Sequence, residues 1–285
     1  MDYLKIAVQK SGRLNEDSLQ LLKECGVSID NGKDQLKAKA SNFPIEILYL
    51  RNSDIPQYLK DNVVDVAIIG DNTLMEKNAE TMRYLDLGFS KCRLSIAIPK
   101  GEVFTGMEYL NGKRSATSSP KTVQDFLDKN DITAQIHEIS GSVEIAPNIG
   151  LADAICDIVS SGSTLFKNGL KEVYQITKSE AVLAVCPNIS NEKKEILDKL
   201  CFRIKAVLAA KYNKYILLNA PKAKLDEICD LIPGMKSPTI LPLHDEEWCS
   251  VHSVITEKAF WENIDKLKAA GAQGILVIPI EKMIL

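Results

Sequence analysis

The residues of this chain best suited to chemistry form a hydroxyl-rich turn at the end of an apolar strand that carries two acids. The turn is Ser160-Ser-Gly-Ser-Thr164, hereafter the glycine turn, and Asp153 and Asp157 precede it. Where such a turn opens a helix, its backbone N–H groups point at one spot and favour an anion. Gly162 permits close approach of the backbone, and the hydroxyls add donors. We therefore predict a phosphate site with acids placed for sugar hydroxyls or a metal, as in a ribose 5-phosphate site.

The same pattern has a purely structural interpretation that stays open at this point. Ser, Gly and Thr are common in ordinary turns and at helix N-caps, including turns that bind nothing. The turn does not follow the Gly-x-Gly-x-x-Gly dinucleotide pattern, and the chain contains no Gly-Lys-Ser/Thr P-loop. Nicotinamide dehydrogenases and P-loop kinases are therefore disfavoured.

Composition indicates a soluble globular protein. The chain has 285 residues, of which 45% are hydrophobic and 26% charged, enough for two or three domains with cores of their own. No apolar run approaches the roughly 20 residues that span a bilayer, so no membrane association is expected. The N-terminus lacks a basic head and a cleavable small-residue site, which predicts a cytoplasmic protein.

Cysteine, histidine and charge exclude further classes. The seven cysteines are scattered without Cys-x-x-Cys spacing, so neither a disulfide framework nor a zinc knuckle is indicated. His137, His244 and His252 form no metal pattern with nearby cysteines or acids. A net charge of −3 argues against a nucleic-acid partner, although a few local cations can still collect an anionic substrate.

Short β-branched runs alternate with helical patterns, which predicts α/β lobes with mostly parallel sheets. We expect one lobe from 1–91 together with 175–205, and a second from 92–174 that contains the glycine turn. The two lobes would face each other across a cleft, as in periplasmic binding proteins. The segment 210–285 reads βαββαβ, which is typical of a ferredoxin-like, ACT-like binding or assembly module.

Ligands of open α/β sheets lie beyond the carboxyl ends of the strands, which directs attention to the loops there. The first strand runs into a Gly12 turn flanked by Lys10 and Arg13, and Arg51 follows another strand. Cations from one lobe facing the glycine turn of the other would suit a polyphosphate. The alternative is that these are solvated loop charges or members of surface ion pairs.

A set of ordered motifs resembles the long form of the ATP phosphoribosyltransferase family, and the resemblance runs from Lys5 to Met283. Besides the glycine turn, the motifs are Gln9-Lys-Ser-Gly-Arg-Leu14, Asp54-Ile-Pro56, Gly70-Asp-Asn72, Cys92-Arg-Leu-Ser95, Asn111-Gly-Lys-Arg-Ser-Ala-Thr117, Gly141-Ser-Val-Glu-Ile-Ala-Pro147, Pro233-Gly-Met-Lys-Ser-Pro-Thr-Ile-Leu-Pro-Leu243 and Ile278-Pro-Ile-Glu-Lys-Met283.

The resemblance implies a Mg²⁺-assisted transfer of the phosphoribosyl group of phosphoribosyl pyrophosphate to N1 of ATP, with inhibition by L-histidine and a homo-oligomer that grows from dimer to hexamer. It implies catalytic roles for Arg51, Lys10 and Asp157. The implied phosphoribosyl pyrophosphate site is Glu144, Asp153, Asp157, Ser160, Ser161, Gly162, Ser163 and Thr164. The implied ATP site is Lys10, Ser11, Gly12, Arg13, Gly70 and Asp71. Mg²⁺ would be held mainly through substrate phosphates.

The resemblance also implies a histidine site in the C-terminal segment, formed by Asn219, Met235, Thr239, Ser253, Val254 and Gly274. Asn219 stands where an acid can be found in the family and would pair differently with the amino group of the ligand. Two rival functions stay open: a non-catalytic sensor or solute-binding protein with two lobes around a cleft, and a catalytically silent regulatory relative.

Overall fold

Short runs of β-branched residues become strands throughout the structure, a computed structural model that describes residues 2–30 and 36–285. The chain forms two compact units, the first of which is Met1–Lys23 with Val27–Ile196, and the second Glu24–Gly26 with Leu197–Leu285. The first unit contains two sheets, and the part of the chain built on each is called lobe I or lobe II. No helix in the described residues is long and apolar enough to cross a membrane.

Lobe I occupies most of the N-terminal third of the chain. Its elements there are β1 (Leu4–Gln9), α1 (Arg13–Glu24), β2 (Lys37–Lys39), β3 (Ile45–Leu50), α2 (Ile55–Lys60), β4 (Val66–Gly70), α3 (Asp71–Glu76) and β5 (Arg83–Asp86). The apolar residues of β1 and β4 are buried because helices or loops cover both faces of the central strands.

Lobe II follows and carries the glycine turn. Its elements are β6 (Cys92–Pro99), β7 (Arg114–Thr117), α4 (Pro120–Lys129), β8 (Gln135–Glu138), β9 (Ala154–Val159), α5 (Ser163–Lys167) and β10 (Leu170–Ser179). The sheet order is β10-β6-β9-β7-β8, so β9 is the central strand. The glycine turn joins this central strand to α5.

The chain then returns to lobe I through β11 (Ala181–Val185) and continues into α6 (Asn191–Lys211). The sheet of lobe I has the order β2-β3-β1-β4-β11-β5. Within it β3, β1 and β4 are parallel, whereas β2, β11 and β5 each run antiparallel to a neighbour. The expectation of mostly parallel sheets is therefore wrong, because β11 enters directly from the other lobe and not through a crossover helix.

Both sheets turn the carboxyl ends of their parallel strands toward the place where the chain crosses between lobes. In lobe I, Gly70 at the end of β4 pairs with Ala181, which follows the second crossing. In lobe II, Val159 at the end of β9 pairs with Arg93, which follows the first crossing. The loops after these strands consequently lie near the crossing between the lobes, at the strand ends where ligands of α/β sheets bind.

Hydrogen bonds join the two lobes beside this crossing. The carboxylate of Glu76, the last residue of α3, accepts the Lys121 and Thr122 N–H groups at 2.9 Å each, and the Thr122 hydroxyl at 2.7 Å. A carboxylate at this place satisfies unpaired donors in the first turn of α4. Asn72 of lobe I and Ser179 of lobe II add a further pair of hydrogen bonds.

The second unit has its own sheet and core. After the end of α6 it consists of β12 (Asn213–Pro221), α7 (Leu225–Leu231), β13 (Thr239–Pro242), β14 (Trp248–Thr256), α8 (Glu257–Ala269) and β15 (Gln273–Pro279). The antiparallel sheet has the order β13-β14-β12-β15, and alternate residues of β12 and β14 pack in a core with apolar residues of α7 and α8. The predicted fold class, two α/β lobes followed by a βαββαβ unit, is confirmed.

Candidate active site

The glycine turn has a left-handed residue at its centre. Gly162 has φ +78° and ψ 0°, a conformation that costs glycine little and other residues more. Its carbonyl accepts the N–H of Phe166 at 3.0 Å, and the Ser161 hydroxyl donates to the Ser163 hydroxyl at 3.0 Å. These bonds join the turn to the start of α5, and its outer edge is exposed to solvent.

A cavity of about 300 Å³ opens at this edge. Glu144 approaches it from the segment before β9, and Asp157 from β9 itself. The complete lining is Glu144, Asp157, Ile158, Val159, Ser160, Ser161, Gly162, Thr164 and Leu165. The structure therefore brings together most of the residues expected around phosphoribosyl pyrophosphate. Ser163 does not line the cavity, but its hydroxyl accepts a hydrogen bond from that of Ser161, which does.

The cavity offers donors that no protein group uses. Within the described parts of the chain, the N–H groups of Ser161, Gly162 and Thr164 donate to no backbone or side-chain acceptor. The helix that follows, α5, has only five residues, so its dipole adds less than expected from the sequence. Anion binding here depends on the turn itself, through backbone N–H groups and hydroxyls.

Asp157 contributes an acid that is short of counter-charge. Its carboxylate accepts from the Ser118 hydroxyl at 3.4 Å, and no cation of the described residues pairs with it. Burial raises the pKa of the Asp157 carboxyl, and the neighbouring Glu144 carboxylate adds to the rise. A cation or a developing positive charge beside these two acids would relieve their repulsion.

Asp153 lies at the opposite end of β9, just before its first residue. Arg114 donates to it through Nε at 3.2 Å and Nη2 at 3.0 Å, and the Arg114 backbone N–H adds a bond of 2.9 Å. These bonds lower the pKa of the Asp153 carboxyl to about 2. A strand of this length separates its ends by roughly 15–20 Å, so the structure does not bring Asp153 to the glycine turn.

Two cations meet at the carboxyl edge of lobe I. Strands β1 and β3 run in parallel register with Gln9 opposite Leu50, and the Lys10 N–H donates to the Leu50 carbonyl at 2.8 Å. Lys10 and Arg51 are therefore neighbours. Both are exposed, and neither forms an ion pair within the described residues. They remain available to an anion entering from solvent.

The other residues expected around ATP differ in availability. Ser11 and Gly12 are exposed, and Arg13, the first residue of α1, lies 3.8 Å from Asp17. Asp71 is buried, and its carboxylate lies 3.3 Å from Nη1 of Arg83. Burial raises the pKa of the Asp71 carboxyl, and Arg83 opposes the rise. The Asp71 side chain is thus engaged inside lobe I, while Gly70 next to it lies at the strand end.

In the second unit, the residues expected around histidine lie on both faces of the sheet. Ser253 is buried on the helix side, where its hydroxyl donates to the Ile232 carbonyl at 2.9 Å. Val254, the next residue of β14, points to the other face because strand side chains alternate. Asn219 also faces away from the helices and is close to Gly274. Met235 and Thr239 are exposed.

The structure adds residues to the site that sequence reasoning did not assign. Arg93 reaches the backbone of the glycine turn, Glu172 holds Arg93, and Ser118 contacts Asp157. Arg93 belongs to the Cys92–Ser95 motif, which is one of the motifs that carry the family resemblance. The partners of Arg93 could not be read from that motif, because they come from other strands.

The chain matches the family described as ATP phosphoribosyltransferase over residues 51–206, and the one described as HisG, C-terminal domain, over residues 210–282. It is 57% identical to the ATP phosphoribosyltransferase of Cytophaga hutchinsonii, over 99% of this chain and 98% of that one. It is 56% identical to that of Bacteroides thetaiotaomicron, over 99% of this chain and all of the other. A chain of the ATP phosphoribosyl transferase (HisG:HisZ) complex from Thermotoga maritima is 29% identical, with a TM-score of 0.61, covering 71% of this chain and 98% of that chain.

Proposed function

The chain belongs to the ATP phosphoribosyltransferase family, and from that membership we propose that it transfers the phosphoribosyl group of phosphoribosyl pyrophosphate to N1 of the adenine of ATP. The family makes it a transferase of histidine biosynthesis. The observation that carries the specific reaction is the cavity at the glycine turn, whose lining combines open N–H donors with two carboxylates. A sugar phosphate presents the matching groups.

The 5-phosphate would bind the glycine turn. Ser160, Ser161 and Thr164 provide hydroxyls, and the open N–H groups of the turn can donate to phosphate oxygens. Gly162 has no side chain, so it adopts its left-handed conformation at little cost and its backbone can come close to the phosphate. Ser163 completes the hydroxyl set through its bond with Ser161.

The ribose would lie beside Asp157 and Glu144. In the reaction the C1–O bond to pyrophosphate breaks, and N1 of adenine forms a bond to C1, so positive charge develops on the sugar in between. The Asp157 carboxylate, raised in pKa by burial and by Glu144, would be stabilised by that charge. These acids contribute electrostatic stabilisation and alignment, and no covalent step on the protein is needed.

Lys10 and Arg51 would neutralise the departing pyrophosphate, since they are adjacent, exposed and without ion pairs among the described residues. ATP would bind near the same edge, at Ser11, Gly12 and Arg13 and at the end of β4 with Gly70 and Asp71. The carboxylate of Asp71 is already paired with Arg83, so Asp71 would contribute to ATP binding by shaping the loop at the end of β4.

Mg²⁺ would be coordinated jointly by carboxylates of the protein and by phosphates of the substrate. Among the described residues no three His, Cys, Asp or Glu side chains are grouped to hold a metal. Glu144 and Asp157 provide two carboxylates, and Mg²⁺ commonly binds one or two carboxylates together with substrate phosphates. When bound, the ion would neutralise pyrophosphate oxygens as the C1–O bond breaks.

The second unit would provide feedback control. We place an L-histidine site at Asn219, Met235, Thr239, Ser253, Val254 and Gly274. Of these residues, Ser253 lies on the helix side of the sheet, whereas Asn219 and Val254 lie on the opposite face. The match to the Thermotoga maritima chain covers 98% of that chain but only 71% of this one, so this chain has residues without a counterpart there. A homo-oligomer, from dimer to hexamer, and a cytoplasmic location belong to the same proposal and rest on the family alone.

The test is an assay of the purified protein with ATP, phosphoribosyl pyrophosphate and Mg²⁺, with pyrophosphatase added to remove one product. We expect N1-phosphoribosyl-ATP, detected by chromatography and mass spectrometry, and less of it when L-histidine is present. A folded protein that forms no product would contradict the reaction and favour a silent relative or a sensor. Product formation unaffected by histidine would contradict only the regulatory part.

A further inference from the structure

An arginine that does not line the cavity contacts the backbone of the glycine turn. Arg93 on β6 donates through Nη1 to the Ser160 carbonyl at 3.0 Å. Ser160 and Ser161 line the cavity, whereas Arg93 does not. The guanidinium therefore contacts the turn from outside the cavity lining.

Arg93 is itself held in place. Its Nε and Nη2 donate to the two oxygens of Glu172 on β10, each at 2.5 Å, and the hydroxyl of the fully buried Ser95 donates to the same carboxylate at 2.8 Å. The bonds from Arg93 lower the pKa of the Glu172 carboxyl. A two-bond arginine–carboxylate pair fixes the plane of the guanidinium, so the remaining Nη1 has a defined direction.

The bond to Ser160 has a consequence for the next residue. A peptide group is planar, and no described peptide bond is cis, so the N–H of Ser161 points opposite to the carbonyl of Ser160. Because Arg93 donates to that carbonyl, the Ser161 N–H points away from Arg93. This N–H donates to no group in the described parts of the chain.

We propose that Arg93, oriented by Glu172, is a positioning residue that aims the Ser161 N–H at the 5-phosphate of the substrate. The inference rests on the proposed function, since it presumes that the glycine turn binds this phosphate. Arg93 is not a phosphate ligand itself, because all three of its described bonds go to Glu172 and Ser160, and Glu172 compensates its charge.

The chain contains a matched control at the other end of β9. Arg114 donates through Nε and Nη2 to Asp153 and through Nη1 to the Gly150 carbonyl at 2.9 Å. The guanidinium group thus makes the same three kinds of bond as in Arg93, with 41% of the side chain exposed against 30% for Arg93. Only Arg93 is next to the cavity, so a general loss of stability and a specific loss of positioning can be separated.

The experiment compares Arg93→Met, Arg93→Lys and Arg114→Met by steady-state kinetics and by calorimetric binding of ribose 5-phosphate. We expect Arg93→Met to raise KM for phosphoribosyl pyrophosphate and Kd for ribose 5-phosphate by about tenfold or more, as for a lost charged hydrogen bond. KM for ATP should stay within about threefold. Arg114→Met should leave all of these kinetic and binding values within about twofold. It should lower Tm by about as much as Arg93→Met does, because each variant loses the same three kinds of bond.

Arg93→Lys tests geometry against charge. A lysine keeps the positive charge but cannot make two bonds to Glu172 and a third to Ser160 from a fixed plane. We expect KM for phosphoribosyl pyrophosphate to stay close to that of Arg93→Met. Glu172→Gln should change the same KM in the same direction, and it provides a second variant if the loss of Arg93 prevents folding.

Three results would overturn the inference: an unchanged KM in Arg93→Met, an equal rise in Arg114→Met, or recovery of the wild-type value in Arg93→Lys. Wild-type protein that binds ribose 5-phosphate yet forms no product would contradict the proposed reaction alone. The binding comparison would still decide the role of Arg93. Wild-type protein that binds no ribose 5-phosphate would contradict both.

Discussion

The two ends of β9 are built from similar parts but have different surroundings. At each end an arginine makes two bonds to a carboxylate and a third to a backbone carbonyl of the adjoining turn. At each end the turn contains a left-handed glycine, Gly150 with φ +73° and Gly162 with φ +78°. Only the end at Gly162 borders the cavity.

The difference lies in which strand supplies the carboxylate. At the first end Arg114 pairs with Asp153, so this acid is fully used. At the second end Arg93 takes its carboxylate from Glu172 on β10, and Asp157 is left without a cation among the described residues. An acid becomes available to a ligand where a neighbouring strand provides the counter-ion for the local arginine.

The two aspartates consequently show opposite shifts in pKa. Hydrogen bonds from Arg114 lower the pKa of the Asp153 carboxyl to about 2. Burial and Glu144 raise the pKa of the Asp157 carboxyl. The ion pair of Asp153 stabilises the fold, whereas the carboxylate of Asp157, which pairs with no cation in the described ranges, costs stability, and such a cost is typical of functional sites.

Replacement of the two glycines should give the largest contrast. Gly162→Val and Gly150→Val both force a β-branched residue into the left-handed region, at a cost of about 1–2 kcal/mol or more each. We expect Gly162→Val to raise KM for phosphoribosyl pyrophosphate by about 100-fold or to abolish turnover, because the turn must shift. Gly150→Val, where a Cβ meets no atom within 4 Å, should lower Tm but keep this KM. Equal kinetics in the two variants would remove the functional distinction between the ends.

Asp157→Asn should separate activity from stability. The uncharged amide cannot stabilise positive charge on the sugar, so we expect kcat to fall by about 100-fold, as when one preorganised electrostatic contact is lost. The same change removes a partly buried carboxylate that has no cationic partner among the described residues, so Tm should rise, by about 1–3 °C. Steady-state kinetics and thermal unfolding measure the two effects. A fall in Tm with unchanged kcat would show that Asp157 is merely structural.

Asp153→Asn should give the smallest effect, and one that depends on pH. The folded-state pKa of Asp153 lies below its usual value of 3.8, so the carboxylate adds stability above about pH 4 that is lost as pH falls toward 2. Since the pair with Arg114 is partly exposed, we expect at most about 1 kcal/mol at pH 7. Urea unfolding of wild type and variant should differ most at pH 5–7, and the difference should shrink toward pH 3. A difference that grows on acidification would contradict the sign of the shift.

Much of the fold could be predicted from the sequence because apolar periodicity is local. The strand Ile45–Leu50 and the βαββαβ order of the second unit follow from such patterns. The short strands β2 and β5 were not predicted, since they are mostly exposed and lie at sheet edges. The apolar pattern of helix α1 starts only near Ser18, but the helix begins at Arg13, where Gly12 turns the chain and Asn15 Nδ2 donates to the Gln9 carbonyl at 2.6 Å.

For the site, too, the local features could be predicted from the sequence and the contacts between distant residues could not. Residue types and spacing indicated a phosphate turn at 160–164 with a nearby acid, and the structure places Asp157 and Glu144 at its cavity. The expectation that Asp153 would serve the same ligand ignored its distance along an extended strand. No local pattern could show that Arg114 uses Asp153, because the two are 39 positions apart and meet only through the β7–β9 pairing.

The sequence alone determined the elements, the turn and the resemblance to a family, because these depend on residues a few positions apart. Only the tertiary structure decided which charges are paired. Arg93 meets Glu172 from 79 positions away because β6 and β10 are neighbours in the sheet. Strand pairing thus supplied one end of β9 with a second carboxylate and left Asp157 available at the cavity. Electrostatic availability is set by contacts between distant segments, and the spacing of residues along the chain does not record them.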